Sequence, residues 1–327
     1  DIINHILEKY IVMILKREDF KLFIILILLI VLSYIVIKNT SKVSTPTPKV
    51  NNNIPNTEEI INYLCSETIN DRAIGTEGNK LVTTYIENLF KALELNPVFS
   101  DSFLNNFYYE SENLNLSNVA GKLNGTNNNK AIIITSHFDA WCNGALDNAS
   151  GVATTFRIIN KLKKDINTIP LKYDVIFVMT NAEMAQFIGS QNFVEDIIPI
   201  YDDIYNINID CVGAKSAGPL ALKNISRIEE SSILYDSLKE ILKENNIEYS
   251  DTFSTDKVEY FYNNNSGVSD YFSFEKNGIP NIHIAQQGIS DLILNDNDNP
   301  ENLDFNKIDI LGDTLAKFIQ QINLDSQ

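Results

Sequence analysis

The chain is short of the side chains from which disulfide scaffolds and zinc knuckles are made. Its 327 residues include three cysteines and three histidines. Cys65, Cys142 and Cys211 are far apart and match no zinc-knuckle spacing, and an odd number cannot all pair, which argues against a disulfide framework. Cys142 has no basic or histidine neighbour in sequence to make it a nucleophile. Positive charge is scarce too: 26 Lys and Arg stand against 43 Asp and Glu, a formal charge of −17. Such a surface repels itself and excludes non-specific nucleic-acid binding, so no nucleic-acid partner is expected. No repeat period is present, and the asparagine-rich patches read as polar loops.

Apolar residues make up 44% of the chain, enough for one large core or two modest domains. The longest apolar run is Leu22 to Ile37, with Ser33 and Tyr34 as its only polar members. A membrane span needs about 17–25 residues, and Phe20 with a snorkelling Lys21 extends this one. Lys16, Arg17 and Lys21 precede the run, and Lys38 and Lys42 follow it. No small-residue cleavage site comes after it. The reading is an uncleaved signal anchor over 21–37, a cytoplasmic segment over 1–20 and the rest of the chain extracytoplasmic. Met13 stands where a natural start would place it, so residues 1–12 carry no functional expectation. Residues 38–56, rich in Pro, Ser, Thr and Asn, form a linker, and a folded domain is expected over 57–327.

In that domain a helix capped by Thr57, with Glu59 in its first turn, is expected first. The turn-rich DRAIGTEGNK and a second helix over 81–93 follow. Val98 to Leu123 alternates and is aromatic, as antiparallel edge strands are. Ala131 to Thr135 is a β-branched run with the pattern of a buried parallel strand. It delivers His137 and Asp139 into a loop; Asp147 and Asn148 come next, and Ser150 and Gly151 open a helix running to about Lys164. Tyr173 to Met179 and Ile204 to Val212 are further strands, ending near Glu183 and Asp210. Strands separated by helices indicate an α/β three-layer sandwich with a mixed, mostly parallel sheet.

Acidic or imidazole groups thus recur at successive strand ends, where open α/β sheets place their chemistry. A two-metal hydrolase needs a carboxylate between ions about 3.5–4 Å apart, further His, Asp or Glu ligands on each side, and a base for the bridging water. The structural alternative is strand, polar loop and capped helix with no metal at all.

Several ordered motifs resemble those of the M28-type zinc aminopeptidases, over roughly Asn56 to Gln320. DRAIGTEGNK is similar to the family's early Arg-x-x-Gly segment, SHFDA to its His-x-Asp motif, and GALDNASG to its bridging-Asp motif. NAEMAQFIGS resembles the paired-Glu and Gly-Ser motif, IDCVG the next Asp-bearing strand end, and SDYFSFEKNGIP the late Ser-Asp and Gly-Ile-Pro segment. The resemblance implies a zinc-exopeptidase-like fold. It also implies that His137 is a ligand of one metal, Asp147 the bridge, Asp210 a ligand of the second, Asp139 the residue orienting His137, and Glu183 the general base.

The chain departs from that pattern twice. Where the family has a second Glu as metal ligand stands Met184, a soft thioether that is a poor partner for zinc. Anchored on Asp298 and PENLD, Leu294 falls where the family has its last ligand histidine. His283 is about eleven residues early and reads as a core or strand-end residue rather than a substitute; Asn295 or Asp296 swinging in is the other option. The expectation is therefore zinc held weakly, partially or not at all. It describes a membrane-anchored, extracytoplasmic pseudoenzyme of peptidase type that keeps binding for peptides or a protein terminus. The alternative is an active, divergent zinc aminopeptidase.

Overall fold

The computed structural model describes residues 6, 7, 9 and 54–325. The expected cytoplasmic segment, the anchor over 21–37 and nearly all of the linker lie outside the described residues. Among those described, no helix is long and apolar enough to cross a membrane.

Helix α1 (Thr57–Leu64) opens the described domain. Its cap is Asn56, not Thr57: the Asn56 side chain accepts from Glu59 N while Glu59 returns a bond to Asn56 N, a reciprocal capping box. Thr57 is instead buried and donates to Asp309. Helix α2 (Glu77–Ala92), capped by Thr76, follows. Next come β1 (Asn96–Pro97), β2 (Leu104–Tyr109), β3 (Leu114–Leu123) and β4 (Asn127–His137). The order continues with α3 (Ser150–Asp165), β5 (Tyr173–Thr180), α4 (Ile188–Ile197), β6 (Asp203–Ile209), β7 (Leu220–Ala221) and α5 (Ser231–Glu244). It ends with β8 (Tyr249–Ser250), α6 (Asp256–Asn263), α7 (Tyr271–Lys276), β9 (Asn281–Gln286) and α8 (Phe305–Asp325).

The described strands make one sheet in the order β1-β3-β5-β4-β6-β9-β7-β8, with β2 also on β3. Parallel pairing is confined mainly to the middle, β5-β4-β6-β9, where helical crossovers join the strands. Each flank joins that centre through an antiparallel pairing, β3 on β5 and β7 on β9, so the sheet is mixed. The flanking strands β1, β7 and β8 are two residues each, too short for a sequence pattern to announce their direction.

Helices cover both faces, and β4 shows how its sequence serves both. Ile132 and Ile134 pack with α1, α2, α3 and α8 on one side. Ala131 and Ile133 point the other way, into a cluster with Phe193 and Val194 of α4 and Phe274 of α7. That alternation is the period-2 geometry of a strand, and with both faces covered the run reads as continuously apolar. From Ala131 onward every residue of β4 is buried. The parallel register then sets the C-terminal ends of β4, β5 and β6 side by side: His137 pairs with Thr180, and Thr135 with Asn208.

Candidate metal centre and cleft

The three neighbouring strand ends bring the predicted residues together. His137 closes β4, Glu183 lies three residues past β5, and Asp210 follows β6 directly. Asp147 arrives from the loop before α3. Its position is fixed by backbone contacts: Leu146 N and Asp147 N both donate to the Asp298 carboxylate, at 2.5 and 3.2 Å. The Asp147–Asn148 peptide is cis. Asn148 ties this loop to β6, since its amide donates to Ile209 O and its oxygen accepts from Cys211 N and Gly151 N. Gly151 is required here, because a Cβ would stand 2.4 Å from the Asn148 side chain and 2.6 Å from Ile209 O.

At the centre, His137 Nε2 lies 3.2 Å from Asp147 Oδ1 and 3.4 Å from Asp210 Oδ1. The ligand atoms of these three residues all fall within 4.8 Å of one another. On the other side of the ring, Nδ1 is 3.0 Å from the backbone carbonyl of Asp139. Asp139 thus holds the ring through its main chain, because its own carboxylate is 3.8 Å from Nδ1, too far for a hydrogen bond. That carboxylate accepts instead from Glu183 N and Met184 N, at 3.1 and 3.2 Å, and so shapes the turn that presents Glu183.

With Nδ1–H given to a carbonyl, Nε2 is the ring nitrogen directed at two carboxylates, and its lone pair becomes available where a cation takes the place of the proton. That nitrogen is buried and has no hydrogen-bond partner. A cation fits there: one imidazole nitrogen and carboxylate oxygens form a donor set that suits zinc. Burial works against charge on His137, yet the carboxylates of Glu183, Asp210 and Asp147 facing it push its pKa well above the ordinary value. For Asp210, burial is outweighed by His137, which holds its carboxyl well below the usual range. Glu183 goes the other way: burial, then the Asp210, Asp270 and Asp147 charges, raise it well above normal despite His137. Glu183 is therefore a competent base only where positive charge is close by.

Asp147, Glu183 and Asp210 open into a cleft of about 560 Å³, whose wall also contains Met184 and Leu294. Both residues at the departing positions thus face the same space as the ligand candidates. His283 lines the cleft as well but is turned to Asn208, 3.0 Å from its Nδ1, and is stacked near Tyr271. Burial lowers its pKa. Asn295 bonds its own loop at Asp291 O and Ile293 O.

Several supporting residues were given no role by the sequence, Arg72 among them although it lies in the Arg-x-x-Gly segment. Arg72, fully buried, donates to the backbone carbonyls of Leu64, Phe138, Asn143 and Gly144, clamping the loop between His137 and Asp147. Asn79 and Asn181 form a reciprocal amide pair, and Asn118 accepts from Asn181 N, so asparagines that read as loop polarity anchor the approach to Glu183. Asp270 accepts from Thr180 Oγ1 at 2.5 Å. Burial raises its carboxyl from 3.8 to about 6, and Asp298 is raised likewise to about 6.

Those two acids give the metal-free protein an expected pH dependence. Each holds its proton in the folded state at pH values where the unfolded chain has released it, so protonation favours folding. Stability should fall as pH rises from about 4 to about 6, by at most ~3 kcal/mol per group. Asp270→Asn keeps the Thr180 contact and removes one titration. Melting temperatures in chelator across that window should decline less steeply for the variant; an unchanged slope would exclude Asp270 as a source.

The model of peptidase family M28 matches residues 118–319. A glutamate carboxypeptidase 2 homolog from Caenorhabditis elegans is 30% identical over 112 residues, a match spanning 33% of this chain and 14% of that protein. LapB from Legionella pneumophila superimposes with a TM-score of 0.66 at 16% identity, covering 85% of this chain and 74% of that one. BSAP, a zinc aminopeptidase from Bacillus subtilis, gives 0.64 at 13% identity, over 83% and 96%. The α/β fold with its mixed sheet is therefore that of zinc aminopeptidases.

Proposed function

Because this chain belongs to peptidase family M28, we propose that it is a membrane-anchored, extracytoplasmic peptidase-like protein whose cleft binds peptide or protein termini and whose hydrolytic power is largely lost. One observation carries this reading: Met184 and Leu294 line the cleft beside Asp147 and Asp210, where the family resemblance requires a carboxylate and an imidazole. Neither a thioether nor an isobutyl group holds zinc well. The two-ion clamp that stabilises both oxygens of a hydrolytic displacement is then incomplete.

His137, Asp147 and Asp210 are the residues that would hold zinc. Bound zinc supplies Lewis acidity and a water of lowered pKa. Glu183 would take the proton from that water, and its backbone, pinned by Asp139, keeps the carboxylate at the cleft wall. A peptide terminus would lie along the apolar surface formed by Phe187, Phe261 and Ile293.

A second reading, an active aminopeptidase, draws support from the spacing of His137, Asp147 and Asp210, since catalytic zinc sites need only three protein ligands plus water. Zinc-supplemented protein tested on a panel of aminoacyl substrates decides between them. Little or no chelator-sensitive turnover, together with saturable binding of peptides bearing a free N-terminus, is expected. Turnover typical of an enzyme, about 1 s⁻¹ or faster, would move the second reading into first place. The proposed topology is checked separately: protease added to intact cells should remove a C-terminal epitope, and full protection would reverse it.

A further inference from the structure

We propose that Lys257 and Lys276 make the cleft selective for peptides that carry a carboxylate. A short peptide supplies that group at its free C-terminus, and a longer one in an acidic side chain near its N-terminus. The inference rests on the reading of the cleft as a peptide site and names the chemistry of the peptide it prefers.

His283 apart, the charged residues that line the cleft fall into two sets. Asp147, Glu183 and Asp210 come from the strand ends and the loop before α3, whereas Lys257 and Lys276 come from α6 and α7. Among the described residues neither lysine forms an ion pair, with these acids or with any other. Their immediate neighbours supply none: Glu275, beside Lys276, is bound to Arg227 at 2.6 Å, and Asp256 and Glu259, beside Lys257, are not part of the cleft wall. Acidic residues outnumber basic ones 43 to 26 in this chain, yet these two cations face the cleft unneutralised. Opposite charges therefore share one space without meeting. A ligand with an amine alone would serve only the acids, while one with an amine and a carboxylate serves both sets.

Both lysines are set into the wall by their surroundings. Lys276 Nζ lies 4.7 Å from the centre of the Phe272 ring, a cation–π contact, and Phe272 itself lines the cleft. Gly267 makes room for that ring, because a Cβ there would stand 2.3 Å from Phe272 Cβ. Lys257 is in the first turn of α6, whose start is fixed by Thr255 accepting from Val258 N. Val258 is buried and also lines the cleft, so it keeps that turn against the site. An ammonium on a four-carbon stem is a point charge with three donors that can follow a carboxylate over a range of positions, which suits peptides of differing length.

Calorimetric titration of the full-length protein with four tripeptides tests this: Leu-Ala-Ala as the free acid, and Leu-Ala-Ala, Leu-Asp-Ala and Leu-Lys-Ala as amides. Each is run with zinc and again in chelator, where no carboxylate-to-zinc bond can create a preference. The free acid or the aspartyl amide is expected to bind about tenfold more tightly than the neutral amide, the scale of two partly exposed charge contacts, and the lysyl amide more weakly. Which of the two carboxylate peptides leads separates C-terminal capture from side-chain capture. Lys257→Gln with Lys276→Gln should bring acid and amide to within about twofold of each other, whereas Lys276→Arg should keep the preference. In the unsubstituted protein added salt should shrink the preference by screening, a readout independent of whether any variant folds. Equal affinity for all four peptides, or a preference that survives the double substitution, would overturn the inference and leave the terminus-binding reading standing. N-acetylated Leu-Ala-Ala acid does the reverse if it binds as well as the unblocked form and loses affinity in the double variant. No binding of any peptide would overturn both.

Discussion

The double variant Met184→Glu with Leu294→His is expected to bind a second zinc and to hydrolyse aminoacyl substrates ~100-fold or more faster than the unsubstituted chain, a gain of about 2.7 kcal/mol in transition-state stabilisation. The Met184 backbone is already fixed by its N–H bond to Asp139 Oδ2, so a carboxylate there starts from a positioned Cα. Leu294 sits at φ +58° and is 40% exposed. Histidine is several-fold enriched over ordinary side chains in that left-handed region, so the exchange adds a ligand without adding backbone cost. Either change alone should give a smaller effect, because the new ligands act on ions that share Asp147 and their free energies need not add. Zinc content and kcat/KM measured together check the prediction. Loading of a second ion without any gain in turnover would show that more than ligands has been lost.

Replacing Arg72 is expected to cost about 3–5 kcal/mol of stability, the scale of breaking a buried charged network. The guanidinium sits among four carbonyls at 2.8–3.0 Å, and each buried acceptor left unsatisfied costs about 1–3 kcal/mol. Arg72→Met removes the desolvation of the charge as well, which is why the net falls below the sum. Lysine should not rescue it, because a point donor cannot reach four carbonyls spread around a planar fork. Gly144, one of the acceptors, begins the turn to Asp147 at φ +59°, and zinc affinity should drop along with stability. Urea melts decide the matter: a midpoint equal to that of the unsubstituted chain, at unchanged slope, would refute the clamp.

Much of the fold was legible because its strands are buried on both faces. AIIIT, YDVIFVM and IYNINI stand out in composition, and their ends point to His137, Glu183 and Asp210 before any coordinates exist. What was hidden works through amides and main chain. Asp139 serves His137 with a carbonyl, a group every residue has, while its carboxylate supports a segment more than forty positions away. Asn79, Asn118, Asn148 and Asn181 look like loop asparagines in a chain rich in them, yet they are buried and paired. Helix α6 went unannounced because only Val258 within it is buried, leaving no apolar stripe to read. The cap at Asn56 differs from the expected Thr57 by one place, since both residue types cap helices and only the Glu59 bond distinguishes them.

The closing helix has a bearing on when this domain can become native. Asn323, near the end of α8, accepts from Lys172 N and Tyr173 N and donates to Tyr173 O, fastening the start of β5 from 150 positions away. Arg157 of α3 is clasped by Asp313 through two bonds of 2.7 Å. A strand in the middle of the sheet thus waits for residues made long after it. Vectorial synthesis supplies the N-terminal parts first, and such distant contacts form late because their loop-closure entropy is large. A nascent chain halted before α8 would hold β4, β5 and β6 with one face of the sheet partly uncovered. Its apolar strands would then be open to chaperones and to one another until the final turns of the helix are delivered.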